Sequence, residues 1–165
     1  MTIRPIRELG DPVLRTPADP VRAFDSWLAT LIRDLEDTVE HPGRAGVAAP
    51  QIGVSVRAFS YNVDGVIGHM VNPVIVERSE EIQDGDEGCL SVPGIWAPTV
   101  RAMHCVAEGF DVDGKPLRLE GTGLMARCLQ HEVDHLDGKV FLDRLKGDAR
   151  KQAFRMLRER TTSLP

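Results

Sequence analysis

Gln130-His131-Glu132-Val133-Asp134-His135-Leu136-Asp137-Gly138 is the stretch on which the reading of this chain turns. Leu124, Cys128, Leu129 or Val133, and Leu136 recur through it at helical spacing, and Gly138 stands where a helix C-terminus places glycine. On that helix His131 and His135 lie one turn apart on one face, so both imidazoles reach one metal ion. Glu132 follows the first histidine directly and can turn toward a water at that ion. Two fixed ligands beside a proton-accepting carboxylate make this the chemistry of a hydrolytic metal site. A solvated helix face carrying two histidines by chance is disfavoured in a chain with only five histidines.

A catalytic metal usually takes three protein ligands and keeps one position open. Downstream of His135 only Asp137, Asp143, Asp148 and Glu159 offer a donor, none in a recognisable setting. Upstream, Cys89 lies in Asp86-Glu87-Gly88-Cys89-Leu90-Ser91-Val92-Pro93-Gly94, where glycines let backbone approach a ligand. Cys89 is either a metal-bound thiolate or a small buried hydrophobe, and spacing leaves both open. Gly43-Arg44-Ala45-Gly46-Val47-Ala48-Ala49-Pro50-Gln51-Ile52-Gly53 is a third stretch of small residues, with Gln51 as an amide donor. Such a run suits either close approach to a ligand or tight helix–strand packing.

Around these stretches the 165-residue chain has an ordinary globular composition, 42% hydrophobic and 27% charged, so a packed core is expected. A formal net charge of −5 argues against a non-specific nucleic-acid binder. No apolar run approaches the roughly 20 residues of a membrane span. The start, Met1-Thr2-Ile3-Arg4-Pro5-Ile6, lacks a signal-peptide core, which makes the cytoplasm the expected address. Cys89, Cys105 and Cys128 are too few and too irregular for a disulfide framework.

The pattern of elements reads as α+β. Gly10–Arg15 reads as an extended lead-in, and Asp19-Pro20 as the N-terminus of a helix carrying Val21, Phe24, Leu28, Leu31, Leu35 and Val39 on one face. Val54–Val76 reads as two strands turning at Asp64-Gly65, and a further hairpin turns at Asp113-Gly114 between Met103–Phe110 and Pro116–Leu119. Asp148–Arg160 is helix-prone and highly charged, with Phe154 and Leu157 as anchors. The expectation is one domain over residues 1–165. Small mixed or antiparallel sheets would pack around the central helix with the two histidines, between an N-terminal helix and a charged C-terminal one.

Taken in order, three stretches resemble the signature motifs of the peptide deformylases: Val47-Ala48-Ala49-Pro50-Gln51, Glu87-Gly88-Cys89-Leu90-Ser91 and Gln130–Gly138. Gly10–Arg15 and Gly123-Leu124-Met125-Ala126-Arg127 are also similar to that family. The resemblance implies a divalent ion on Cys89, His131 and His135, ferrous iron in vivo, with zinc, nickel or cobalt as substitutes. It implies Glu132 as general acid/base, with Gln51 and the Leu90 N–H contacting the formyl oxygen. Gly46 and Gly88 would contact the substrate peptide, and Leu124 and Cys128 would line the pocket for its first side chain. Glu87 would brace the cysteine loop by pairing with Arg101. The implied partner is an N-formylated nascent peptide, with the ribosome near its exit tunnel as a second, and neither DNA nor membrane. The implied state is a monomer or weak homodimer. One residue departs from the pattern: Arg44 stands where the family has glycine, and solvent is its expected destination. The competing readings are a zinc protease cleaving internal peptide bonds and a metal-binding domain without turnover.

Overall fold

The computed structural model describes residues 2–162, with side chains through 160; Met1, the first residue of the stretch read above for an export signal, lies outside them. Helix α1 spans Ser26–Glu40, α2 Leu124–Leu136 and α3 Gly147–Thr162. The strands are β1 Gly46–Ala48, β2 Ala58–Val63, β3 Val66–Arg78, β4 Ile82–Cys89, β5 Val92–Ala102, β6 His104–Phe110 and β7 Pro116–Thr122. They form a five-stranded sheet in the order β1-β2-β3-β6-β7 and a separate hairpin, β4-β5, with every pairing antiparallel. The α+β expectation is met.

Helix α1 begins at Ser26, six residues later than the Pro20 start read from the sequence. The segment before it is claimed by other partners. Val21 exchanges backbone hydrogen bonds with the Asn72 side chain, Asp19 N–H donates to Ser55 O, and Arg57 N–H donates to Asp19 O. Those contacts hold the segment extended, and Asp25 becomes the cap, its Oδ1 accepting from Leu28 N–H at 3.1 Å. Downstream the apolar face is as read: Leu28, Leu31, Leu35 and Val39 are buried against β1, β2 and β3. Pro12–Arg15 is also not extended. It forms a single 3-10 turn because Asp11 Oδ1 accepts from Val13 N–H at 3.1 Å.

Both expected hairpins are present, turning at Asp64-Gly65 and Asp113-Gly114. The β4–β5 hairpin is a feature the sequence did not announce, because Gly85, Gly88, Pro93 and Pro98 interrupt any strand signature. Helix α2 lies buried along almost its whole length, from Ala126 to Leu136, against the sheet on one side and the hairpin on the other. In α3, Ala153 is buried, with Phe154 and Leu157 beside it, against Val92, Ile95, Phe141 and Leu142. No helix among the described residues is long and apolar enough to cross a membrane.

Helix α2 stops where it does because Gly138 adopts a left-handed conformation, φ 76°. A Cβ there would lie 2.9 Å from Arg15 O, so both conformation and space demand glycine. Gly138→Ala is expected to lower unfolding stability by about 1–3 kcal/mol, read from the midpoint of urea denaturation.

Candidate metal centre and cleft

Cys89 ends β4, while His131 and His135 project from consecutive turns of α2. The hairpin lies against the helix so that their donor atoms converge, all within 4.8 Å of one another. Cys89 Sγ is 3.3 Å from His135 Nε2, which is 3.2 Å from His131 Nε2. Three donors around one ion at tetrahedral angles lie about 3.3–3.6 Å apart, given Zn–N near 2.0–2.1 Å and Zn–S near 2.3 Å. The set can therefore hold a small divalent ion.

Protonation supports that fit. His131 Nδ1 lies 2.6 Å from Glu87 Oε2, and an ionised carboxylate only accepts, so the Nδ1 proton points at Glu87 and Nε2 faces the centre. Against its burial, Glu132, Cys89 and Glu87 raise the pKa of the ring, and an ion would take the place of the Nε2 proton. Burial opposes ionisation of Cys89. The charge and hydrogen bonds of His135 and His131 outweigh it and hold the thiol well below its usual range. Ser91 N–H adds a contact to the sulfur at 3.4 Å.

Glu87 is itself held by a fork from Arg101, Nε to Oε1 at 3.0 Å and NH2 to Oε2 at 2.7 Å, as the sequence reading anticipated. Three further residues join this network, none of which the sequence reading placed in it. Arg127 NH1 donates to Glu87 Oε1 at 2.8 Å, and Asp134 accepts from both Arg101 and Arg144 at 2.7 Å. Burial works against the charge on Glu87, but hydrogen bonds from His131 and Arg101 keep it below the usual carboxylate range. Asp134 is likewise lowered against its own burial by Arg144 and Arg101.

Glu132 lies beside the donor set, on the β1 side of the cleft. Its carboxylate is 3% exposed, its Oε2 lies 4.0 Å from His131 Nε2, and its Oε1 has no hydrogen-bond partner among the described residues. A buried, partnerless carboxylate oxygen is costly. It is explained by a polar ligand in the cleft. Burial raises its pKa, with His131 and His135 pulling the other way. Gly46 explains how the carboxylate fits: a Cβ there would lie 2.5 Å from Glu132 Oε2.

The remaining residues singled out in the sequence line one cleft of about 370 Å³: Gly46, Gln51, Gly88, Leu90, Leu124 and Cys128. Gln51 is locked at its inner end. Its Oε1 accepts from Ala48 N–H at 2.9 Å, and its Nε2 reaches Ser91 Oγ at 3.1 Å and Cys89 Sγ at 3.7 Å. Cys128 is buried, donates to Ala45 O at 3.4 Å, and is held well above its usual pKa, first by burial and then by Glu132. It stays a thiol and serves as wall. Trp96, which the sequence left between rim and core, is rim: it is 65% exposed and lies across Gly88, where a Cβ would come within 2.7 Å of the indole. Arg44 does not simply run into solvent. It is half-buried on the cleft wall, and its NH1 donates to Thr38 O at 2.8 Å.

Comparison with known proteins agrees with this geometry. The polypeptide deformylase family model matches residues 3–151. A peptide deformylase of Acidothermus cellulolyticus is 58% identical, covering 96% of this chain and 88% of its own length. Peptide deformylase 1 of Corynebacterium efficiens is 49% identical, covering 96% of each. Among solved structures, the Thermus thermophilus peptide deformylase superposes with a TM-score of 0.89 at 41% identity, covering 95% of this chain and 94% of that one. The Ehrlichia chaffeensis peptide deformylase in complex with actinonin superposes with a TM-score of 0.88 at 32% identity, covering 97% and 98%.

Arg101 is the shared cation of the two buried carboxylates, so Arg101→Met is expected to cost about 3 kcal/mol of stability, the low end for a broken buried pair because Arg127 and Arg144 remain. Urea unfolding checks it. The convergence of three metal-ligand donors beside a buried carboxylate, on a fold shared from end to end with these relatives, shows that the chain belongs to the polypeptide deformylase family.

Proposed function

We propose that this chain is a metal-dependent amide hydrolase that removes the N-formyl group from the formyl-methionine of new polypeptides, releasing formate. The observation that carries the reading is the Cys89, His131 and His135 donor set with the partnerless Glu132 oxygen facing the same cleft. The three residues would hold one divalent ion, ferrous iron in the cell, with zinc, nickel or cobalt as substitutes. When bound, such an ion supplies Lewis acidity, lowering the pKa of water toward about 7 and polarising the amide carbonyl.

The side chains do the rest. Glu132 accepts the proton of the attacking water and returns it to the leaving amine. Burial raises its pKa, which helps it hold the proton between the two steps. Gln51 and Leu90 line the cleft; Gln51 Nε2, by giving up its long contact to Cys89 Sγ, and the Leu90 N–H would donate to the formyl oxygen, each worth roughly 3–4 kcal/mol of barrier. Gln51 loses little freedom on binding because Ala48 and Ser91 already fix it.

Gly46 and Gly88 line the cleft, where a peptide backbone can approach them closely. Leu124 and Cys128 offer apolar surface for the methionine side chain. A single catalytic domain over residues 1–165, a cytoplasmic address and action as a monomer or weak homodimer near the ribosomal exit tunnel complete the reading. Cleavage of internal peptide bonds is disfavoured because a chain continuing past the scissile bond would have to pass Gln51, which is hydrogen-bonded to Ser91 and Cys89.

Glu132→Gln preserves volume and removes the base. It is expected to keep its metal, measured by elemental analysis, while formate release falls at least about 100-fold. An unimpaired rate would reject the assignment. Cys89→Ser replaces a thiolate with a hydroxyl and is expected to lose metal on dialysis faster than the parent chain.

A further inference from the structure

The charge at the cleft mouth bears on which formylated peptides enter. The direction of an incoming peptide follows from hydrogen bonds already made. Asn62 N–H donates to Ala45 O at 2.7 Å, so the backbone of Ala45 faces β2, and that of Gly46 faces the cleft by the alternation of an antiparallel ladder. At the other end of β1, Ala48 N–H is occupied by Gln51 Oε1, and Gln51 continues to Ser91 and Cys89. A peptide with its first residue beside Gly46 and its formyl end at Cys89 has one way out, toward Arg44. It therefore runs antiparallel to β1. At about 3.4 Å per residue, its third residue arrives beside Arg44.

Four charged side chains besides Arg44 line this cleft: Asp86, Glu87, Arg127 and Glu132. Glu87 is shared by Arg127, Arg101 and His131, so Arg127 is tied into a buried network on the α2 side of the cleft, and Glu132 belongs to the reacting centre. Asp86 is exposed on the opposite wall, where water screens it. Arg44 is half-buried, tied through NH1 to Thr38 O, and paired with no carboxylate among the described residues. Its remaining donors offer a cation on the β1 wall at the level of the third residue.

We propose that Arg44 is a specificity-determining residue that favours formylated peptides presenting a carboxylate at the third position, either an acidic side chain or the C-terminal carboxylate of a tripeptide. This rests on the deformylase reading of the site. An extended peptide along β1 brings that carboxylate to a guanidinium already held in place. Little side-chain entropy is then lost on contact.

The test compares kcat/KM for formate release from formyl-Met-Ala-Glu-amide and formyl-Met-Ala-Gln-amide, and from formyl-Met-Ala-Ala as free acid and as amide. The metal-loaded parent chain, Arg44→Gln and Arg44→Lys are measured at low and at high salt. The glutamate peptide is expected to lead its glutamine counterpart by about two- to fivefold in the parent chain. That ratio should fall to one in Arg44→Gln, persist in Arg44→Lys, and fade near 1 M salt, where charges screen within about 3 Å. The acid-against-amide pair shows whether a terminal carboxylate serves as well as a side chain. Each ratio is internal to one protein sample, so partial misfolding of a variant cancels. Equal rates for the glutamate and glutamine peptides, or a preference surviving in Arg44→Gln, would overturn the proposal. No formate from any peptide would instead overturn the deformylase reading beneath it.

Discussion

The carboxylate of Glu87 is the contact on which this structure depends. It is 4% exposed and receives donors from three directions: His131 Nδ1, the Arg101 fork and Arg127 NH1. A buried charge without partners costs several kcal/mol, so Glu87 fixes where its partners must stand. Two of them, His131 and Arg127, come from α2, and one, Arg101, from β5. The β4–β5 hairpin is not part of the main sheet, and this network is the polar clamp that seats it on the helix. The consequence is chemical as well as structural. The clamp that docks Cys89 beside the histidines also sets the tautomer of His131.

Close approach is the second constraint. The cleft is narrow because two glycines allow it to be. Gly46 lets the Glu132 carboxylate lie against β1, and Gly88 lets Trp96 lie across β4. A side chain at either place would move the proton acceptor or the rim. Small residues in the first motif therefore serve geometry on this side and helix packing on the other, where Val47, Ala49 and Ile52 are buried against α1. Of the two readings left open by the sequence, the packing one is met, and the close approach on the other face is made by Glu132.

Much of this was legible in the residues. Helix α2 could be read because its periodicity, its i, i+4 histidines and its terminal glycine agree with one another. The two hairpins could be read because Asp-Gly turns have one strong local meaning. What failed to show depended on distant partners. The start of α1 was displaced by Asn72, over 50 residues away, and no local signal marks that competition. The β4–β5 hairpin was hidden by its glycines and prolines, and what holds it in place is distant: the Glu87 and Arg101 contacts to α2 and the packing of Val92, Ile95 and Ala97 on Phe141 and Leu142. Nothing local marks Arg127, Asp134 and Arg144 as partners; Arg127 and Asp134 are buried in the network, and Arg144 joins it from the surface. Charge alone does not reveal a partner that folding supplies.

The central claim is that one ion, held by Cys89, His131 and His135, and one carboxylate, Glu132, hydrolyse a formyl amide. The most direct measurement is formate release from a formyl-methionyl peptide by protein purified anaerobically, with and without a metal chelator. The account predicts release that the chelator abolishes and added divalent metal restores. Release unaffected by complete metal removal, or none from a folded and metal-loaded sample, would contradict it.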